Sequence, residues 1–265
     1  VNSTMAATFA AASPKIPAVH IEAGLRSFDR DMPEEINRIV ADSLASLLLA
    51  SEPTGVSNLR NEGHADEKVY LVGNIMIDSL TRLLPQATEQ KEFAKFGHEA
   101  GNYAFLTMHR PSNVDDPAIL ARLLNLFEEL SQRLPIVFPI HPRTRKNAEA
   151  AGIAVEGRGQ LHIIPPVDYV GSLSLQSQAK VVFTDSGGIQ EESSCLGVPC
   201  LTLRYNTERP VTVDQGTSTL VGNDPDKIRE AFESIMAGTY KRGQDIELWD
   251  GKTADRIADV LSEQL

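Results

Sequence analysis

The sequence predicts an α/β protein built from two Rossmann-like, doubly wound domains, the first of them incomplete. Three observations carry this expectation. Short apolar runs alternate with amphipathic stretches along the 265 residues, which is the pattern of parallel strands joined by helices. The chain is long enough for two such domains. Glycine-rich or charged motifs follow several of the apolar runs directly, at the strand ends where open parallel sheets bind ligands.

The opening "VNSTMAATFAAASPKIPAVHIEAG" reads as a helix from about Ser3 to Ala12, a proline turn, and a strand running into Glu22. That is the second half of a strand–helix–strand unit, so an upstream strand is expected to be absent at Val1. Further strands are expected at 47–50, 69–72, 104–108, 136–139, 162–164, 181–184 and 200–203, each a short apolar run between turn residues. Helices are expected at 34–44, 77–84, 118–132, 144–151, 167–176, 188–196, 226–237 and 253–261, where apolar residues recur at helical spacing. The strand ending in "VGN" closes a first domain at residues 1–73, and the polar stretch 86–102 follows the next helix as a loop. A second Rossmann-like domain then spans residues 74–241. The last helix, 253–261, is expected to pack back on the first domain.

Composition narrows the function. Hydrophobic residues make up 42% and charged residues 23%, ordinary values for a globular protein, and the net charge is −11. An acidic chain has no nucleic-acid footprint, so an anionic ligand would have to be met by a local basic cluster. The two cysteines, Cys195 and Cys200, form no CxxC and are expected to be reduced cytosolic thiols. No apolar run reaches membrane-spanning length and no signal peptide is visible.

The segment "KVVFTDSGGIQEESSCLG" places Asp185, Ser186, Gly187 and Gly188 between a buried strand and a helix. The first N–H groups of that helix lack internal partners and carry partial positive charge. Two glycines let a phosphate approach the backbone, and Ser186 adds a hydroxyl donor. Glu191, about one turn into the helix, suits the two hydroxyls of a ribose. A helix capped by Asp or Ser would explain the same residues, so the motif alone is weak. A helix dipole contributes about 0.3–2 kcal/mol, whereas micromolar affinity needs about 8 kcal/mol. The cations after other strands are the obvious complement. His109 and Arg110 follow 104–108, His141, Arg143, Arg145 and Lys146 follow 136–139, and Arg204 and Arg209 follow 200–203. All are expected in the second domain, around an anion such as a nucleoside diphosphate.

The first domain supplies carboxylates. In "HIEAGLRS", alternation along the strand turns His20 and Glu22 to one side. In "MPEEINR", Pro33 opens a helix with Glu34 and Glu35 in its first turn. A first-turn acid suits the dipole, and Glu34 could pair with Arg38 one turn on. Two carboxylates would also suit proton transfer on a sugar.

Taken together, "HIEAGLRS", "MPEEINR", "VGN.MID", "TMHRPSNVDD", "TDSGGIQEE", "LG.P.L.LR..TERP" and "GT..LVG" resemble the non-hydrolysing UDP-N-acetylglucosamine 2-epimerase family, in that family's order from about His20 to Gly222. The resemblance implies a glycosyltransferase-B-type arrangement of the two domains, no metal and no cofactor, and a homodimer. It matches Glu22 and Glu34 to acid/base carboxylates and His109 to a histidine near the leaving diphosphate. Ser186, Gly187 and Gly188 match the phosphate-binding turn, and Glu191 the ribose-binding acid. Arg110, His141 and Arg209 match polar positions near UDP or a second nucleotide-sugar. A further family aspartate and a glycine-rich turn would lie upstream of Val1, so this chain by itself is expected to bind UDP without turning substrate over.

The activity implied is the interconversion of UDP-GlcNAc and UDP-ManNAc by elimination and re-addition of UDP through a 2-acetamidoglucal. The expected setting is cytoplasmic, in cell-envelope polysaccharide biosynthesis, with a UDP-sugar as partner and neither nucleic acid nor membrane. Two alternatives stand beside it: an epimerase of a UDP-2,3-diacetamido-uronic acid, and a non-catalytic nucleotide-sugar-binding fragment.

Overall fold

The computed structural model describes residues 2–12, 14 and 16–264. Val1, where the sequence suggests an absent upstream strand, lies outside them. In chain order the elements are α1 (Asn2–Ala12), β1 (Val19–Ala23), α2 (Pro33–Leu44), β2 (Leu47–Ala50), α3 (Pro53–Asn61), β3 (Val69–Leu71) and α4 (Ile75–Gln90). There follow β4 (Ala104–Thr107), α5 (Pro111–Val114), α6 (Pro117–Ser131), β5 (Ile136–Pro139), α7 (Pro142–Ala150), β6 (Leu161–Ile164) and α8 (Tyr169–Ser177). The chain closes with β7 (Val181–Thr184), α9 (Gly187–Leu196), β8 (Cys200–Thr202), α10 (Val211–Asp214), β9 (Ser218–Leu220), α11 (Pro225–Met236) and α12 (Thr253–Gln264). Two units emerge. Unit 1 takes 1–82, 206–214 and 245–265; unit 2 takes 83–205 and 215–244.

Unit 2 holds a six-stranded, all-parallel sheet in the order β6-β5-β4-β7-β8-β9. The chain winds outward from β4 in one direction and from β7 in the other. Successive side chains of a strand face opposite sides, and both sides here are covered, so the strands are apolar throughout. Ala104 and Leu106 face one core with Phe127 and Phe138, while Phe105 and Val182 face the other with Tyr103 and Leu175. Phe183 anchors the first core between Phe127 and Phe232, with ring centroids 5.1 and 6.2 Å away. Each of these fully buried rings contributes about 1.5–3 kcal/mol over an exposed one.

Unit 1 carries a three-stranded parallel sheet, β1-β2-β3. Leu48 and Ala23 pack with Leu59 on one side, and Leu49 and Val72 pack with Ile257 of α12 on the other. Trp249 Nε1 donates to the Ser51 carbonyl at 3.1 Å, tying the C-terminal segment to the end of β2. β1 ends irregularly. Its register with β2 shifts between Ile21 and Ala23, and Glu22 between them has φ 65°. Gly24 follows at φ 79°, so close to α3 that a Cβ on it would lie 2.2 Å from the Gly55 carbonyl oxygen.

Several boundaries differ from the sequence expectation. Pro85 suggests a helix end at 84, yet α4 runs on to Gln90. Pro85 forfeits one backbone hydrogen bond, but the fully buried Ala87 beyond it keeps the helical register. The polar stretch from 86 is therefore helix first, then a 3₁₀ turn at Glu92–Phe96. α3 escapes notice because Thr, Gly, Ser and Asn are poor helix formers; Leu59, fully buried, holds it in place. β9 is only three residues long and mostly polar.

The approach of Gly24 to Gly55 yields a stability test. Gly24→Ala combines a left-handed φ with a clash against backbone that cannot yield. Urea unfolding should show unit 1 weakened by more than about 2 kcal/mol. A change under about 0.5 kcal/mol would mean that the β1–α3 contact is looser than described.

Candidate active site

In a doubly wound sheet the strands that leave in opposite directions open a crevice at their carboxyl ends. In unit 2 those strands are β4 and β7. His109 stands two residues past β4, and Asp185 and Ser186 directly follow β7. One fully buried carboxylate joins the two ends. Asp185 accepts the backbone N–H of His109 at 2.9 Å and of Arg110 at 2.8 Å, and Asn113 Nδ2 at 3.0 Å. His109 Nδ1 lies 3.1 Å from the same carboxylate, and Arg110 Nε donates to the Asp185 carbonyl at 2.9 Å. Burial alone would push this acid up, but His109, the Arg110 N–H and Asn113 hold it below the usual carboxylate range.

Because Asp185 is spent on that clamp, the helix start stays open. Ser186 occupies the N-cap position of α9, yet its hydroxyl makes no capping hydrogen bond. The first N–H groups of α9, at Gly187 and Gly188, have no acceptor within the helix. Space around Gly188 is clear, since a Cβ there would meet nothing within 4 Å. Ser186, His109 and His141 line one cavity of about 210 Å³, with Thr107, Ser172 and Ile189. His141 caps α7, its Nδ1 accepting the Arg143 N–H at 3.2 Å, and its ring centroid is 5.4 Å from that of His109. Burial, then His109 and Arg143, push the His141 imidazole down against the pull of Asp185. Hydrogen-bond donors, an open helix start and imidazoles around one cavity suit a phosphate-bearing ligand.

The structure therefore brings His109, Arg110, His141, Ser186, Gly187 and Gly188 together. Glu191 does not join the cavity lining; it is fully buried in α9. Its neighbour Glu192, 5% exposed, receives the Tyr169 hydroxyl at 2.9 Å, and Tyr169 opens α8 between the lining residues Val167 and Ser172. Burial pushes Glu192 up to about 7 against the pull of that hydrogen bond. The basic clusters do not all belong here. Arg143 is bound by Asp115 and Arg145 lies 3.8 Å from Glu149. Arg209, expected beside Arg204 in the second domain, lies instead in unit 1. The chain leaves β8 and passes into α10 before returning for β9, so residues that follow one strand are divided between units.

In unit 1, Glu22, His20, Arg38 and Arg209 line a cavity of about 180 Å³ with Thr4 and Asn37. Arg209 is paired with Glu208, and Arg38 lies 3.5 Å from the same carboxylate. The pair in the first turn of α2 divides its tasks. Glu35 is buried, and its carboxylate accepts Ser27 N, Ser27 Oγ and Phe28 N, each at 2.9 Å. Glu34 is half-buried, and its carboxylate makes no hydrogen bond among the described residues. Beneath β1, Asp42 is fully buried and accepts from Arg26 Nη2 at 2.6 Å and Gly24 N at 3.2 Å, with His20 Nδ1 2.5 Å away. Burial would raise this acid, but His20 and Arg26 hold it below the usual range. Arg26, Glu35 and Glu192 lie inside quoted motifs but were given no role there, and Asp42 lies in none of them. Among the described residues, no group of three or more His, Cys, Asp and Glu could hold a metal ion, and no helix is long and apolar enough to cross a membrane.

Comparison with known proteins adds an independent line. The sequence profile of the UDP-N-acetylglucosamine 2-epimerase family matches residues 1–262. A UDP-N-acetylglucosamine 2-epimerase of Methanococcus maripaludis is 40% identical over 267 residues, 98% of this chain and 72% of that protein. A UDP-2,3-diacetamido-2,3-dideoxy-D-glucuronate 2-epimerase of Pseudomonas aeruginosa is 36% identical over 266 residues, 99% of this chain and 72% of that protein. The crystal structure of Methanocaldococcus jannaschii UDP-GlcNAc 2-epimerase in complex with UDP-GlcNAc and UDP superposes with a TM-score of 0.91 at 38% identity, covering 99% of this chain and 74% of that one. This likeness bears out the fold class expected from the sequence.

Glu192 generates a pH test. Its folded value, about 7, lies above the unfolded value, so its contribution to stability is intact below about pH 4.3 and is lost as pH rises toward 7. Glu52 in unit 1, also pushed to about 7 by burial, behaves in the same way. Chemical unfolding should show stability falling between pH 5 and about 7. Glu192→Gln should remove about 2–3 kcal/mol of that fall in unit 2. An unchanged pH dependence would mean that Glu192 is already ionised at pH 5.

Proposed function

Because the chain belongs to the UDP-N-acetylglucosamine 2-epimerase family, we propose that it is an isomerase interconverting UDP-GlcNAc and UDP-ManNAc. The observation that supports this most is the strand reversal in unit 2, where β4 and β7 present His109 and Ser186 to one cavity at an open helix start. In this reading the diphosphate binds the N–H groups at Gly187 and Gly188 and the Ser186 hydroxyl. His109, anchored by Asp185, stabilises the charge that develops as UDP leaves C1. Arg110 and His141 border the same anion. The buried carboxyl pair of α9, Glu191 and Glu192, serves the ribose side; Glu192 has the better claim, because its partner Tyr169 adjoins the cavity lining.

The proton chemistry belongs to unit 1. The C2 proton of a GlcNAc unit is too weakly acidic for simple abstraction, so its removal is coupled to loss of UDP, which gives a 2-acetamidoglucal. Re-addition of UDP, with a proton delivered to the other face, gives the epimer. Glu22 is the first candidate for this transfer. It is held at φ 65° on the rim of a cavity, a conformation that costs about 1–3 kcal/mol and persists only where the surroundings enforce it. Glu34 is the second, since Glu35 beside it is fully committed to the Ser27–Phe28 turn. Arg209 lines the Glu22 cavity and belongs with the sugar rather than with the α9 turn. The proposal extends to a homodimer acting in the cytoplasm on cell-envelope polysaccharide precursors, as the family resemblance supports.

The Pseudomonas relative favours one second reading, a UDP-diacetamido-uronic acid as substrate. Assaying both nucleotide-sugars separates the two readings.

Two measurements test the assignment. Ser186→Ala should weaken UDP binding by about 1–3 kcal/mol in calorimetry. In D₂O a form extended upstream to the length of the relatives should place deuterium at C2 of recovered UDP-GlcNAc, and Glu22→Gln and Glu34→Gln should each lose that exchange while binding UDP normally. Unaltered UDP affinity in Ser186→Ala would sink the diphosphate site. Full exchange in both carboxamide variants would remove these residues from the chemistry.

A further inference from the structure

His20 has no part in the reaction as described so far, yet few side chains in unit 1 are held so firmly. The residue is 9% exposed, and Nδ1 lies 2.5 Å from Asp42 Oδ1. An ionised carboxylate can only accept hydrogen bonds, so Nδ1 must be the donor. Asp42 is kept ionised by Arg26, whose guanidinium binds Glu62 in turn at 2.7 and 2.6 Å. The tautomer is thereby fixed, and Nε2 carries the free lone pair. Nε2 has no hydrogen-bond partner among the described residues, and His20 lines the same cavity as Glu22. The second Asp42 oxygen holds the N–H of Gly24, two residues beyond Glu22. One buried aspartate thus orients the imidazole and fixes the bulge that carries the carboxylate.

We propose that His20, oriented by Asp42, is the proton relay that returns Glu22 to its starting state by exchanging a proton between the Glu22 carboxyl and solvent. This rests on Glu22 taking the C2 proton. In the forward direction the proton leaves C2 for a Glu22 oxygen, and the C2 electron pair becomes the double bond of the glucal as the C1–O bond to UDP breaks. Glu22 then passes the proton to His20 Nε2. The imidazolium, stabilised by Asp42, releases it to water, and both groups return to their initial forms. No oxidant or second substrate is required. Glu22 on β1, Arg38 and Asp42 on α2, and Arg209 from 206–214 are the charged groups that face His20 or share its cavity. Glu35 and Glu208 pair with the two arginines, so the imidazolium is left facing the carboxylates of Glu22 and Asp42.

The test compares His20→Ala, His20→Gln and Glu22→Gln. Gln keeps a donor for Asp42 but cannot carry a proton. Both His20 variants should therefore lose about tenfold to a hundredfold in kcat with little change in KM or UDP affinity. His20→Gln should keep the wild-type melting temperature. Imidazole in the buffer should restore part of the kcat of His20→Ala. Wild-type kcat in both variants overturns the relay. So does a loss in His20→Ala that imidazole does not restore while His20→Gln is fully active, because that pattern belongs to packing. If Glu22→Gln retains full deuterium exchange, the premise falls instead. If Glu22→Gln is inactive and His20→Ala is normal, Glu22 stands and only the relay fails.

Discussion

The carboxylate of Asp185 decides what the carboxyl edge of unit 2 can do. A parallel sheet whose strands leave in two directions needs something to close β4 against β7 beyond the last ladder hydrogen bond. Asp185 does this with two backbone N–H groups, an amide and an imidazole, all from the turn after β4. An acid with so many donors stays ionised even when fully buried. Because it is aimed at its neighbour strand, it does not cap its own helix, and α9 begins with its N–H groups open. The open helix start is a by-product of where that one carboxylate is pointed. The same contact fixes His109, whose backbone and ring both lean on Asp185.

Unit 1 uses the same device for another purpose. Asp42, also fully buried, binds an imidazole, a guanidinium and a backbone N–H. Its partners belong to the strand that carries Glu22 and to the segment directly after it. With Gly24 pressed against Gly55 and Asn58 Nδ2 donating to the Gly24 carbonyl at 2.9 Å, the chain after β1 has no room to relax. That is the over-determination a left-handed glutamate needs. In both units a strand end is fixed by a buried ionised acid, and the candidate reactive group stands next to the fixed point.

Much of this was legible in the sequence. Alternation of apolar runs located eight of the strands, and the cores explain why, since a strand covered on both faces must be apolar at nearly every position. The turn "TDSGG" announced an open helix start. What it did not announce was the division of labour inside a pair of identical residues. Glu34 and Glu35 are equivalent by position, as are Glu191 and Glu192, and only the folded chain shows which carboxylate faces which side. Asp42 lies 22 residues from His20 with no spacing rule between them, so a contact of that kind cannot be inferred from pattern. Arg209 was misassigned for a related reason. Sequence order assigns a residue to the strand it follows, but the segment after β8 crosses to the other unit before β9.

Four buried acids show how donors decide ionisation. Asp42 and Asp185 are fully buried and held below the usual carboxylate range, while Glu52 and Glu192 are buried to a similar degree and pushed to about 7. Desolvation is the largest influence on all four. What differs is the return: several charged or N–H donors for the aspartates, and for Glu192 a single phenol. An acid left with so little compensation is expensive to ionise in the fold. A pair of ligand hydroxyls would supply the missing donors and shift it toward the carboxylate. Asp185 gains nothing from such a ligand, because its acceptor sites are already filled from within the chain. The under-supplied acid of α9 is therefore the one suited to a diol, and the well-supplied acid before it is the one that builds the turn.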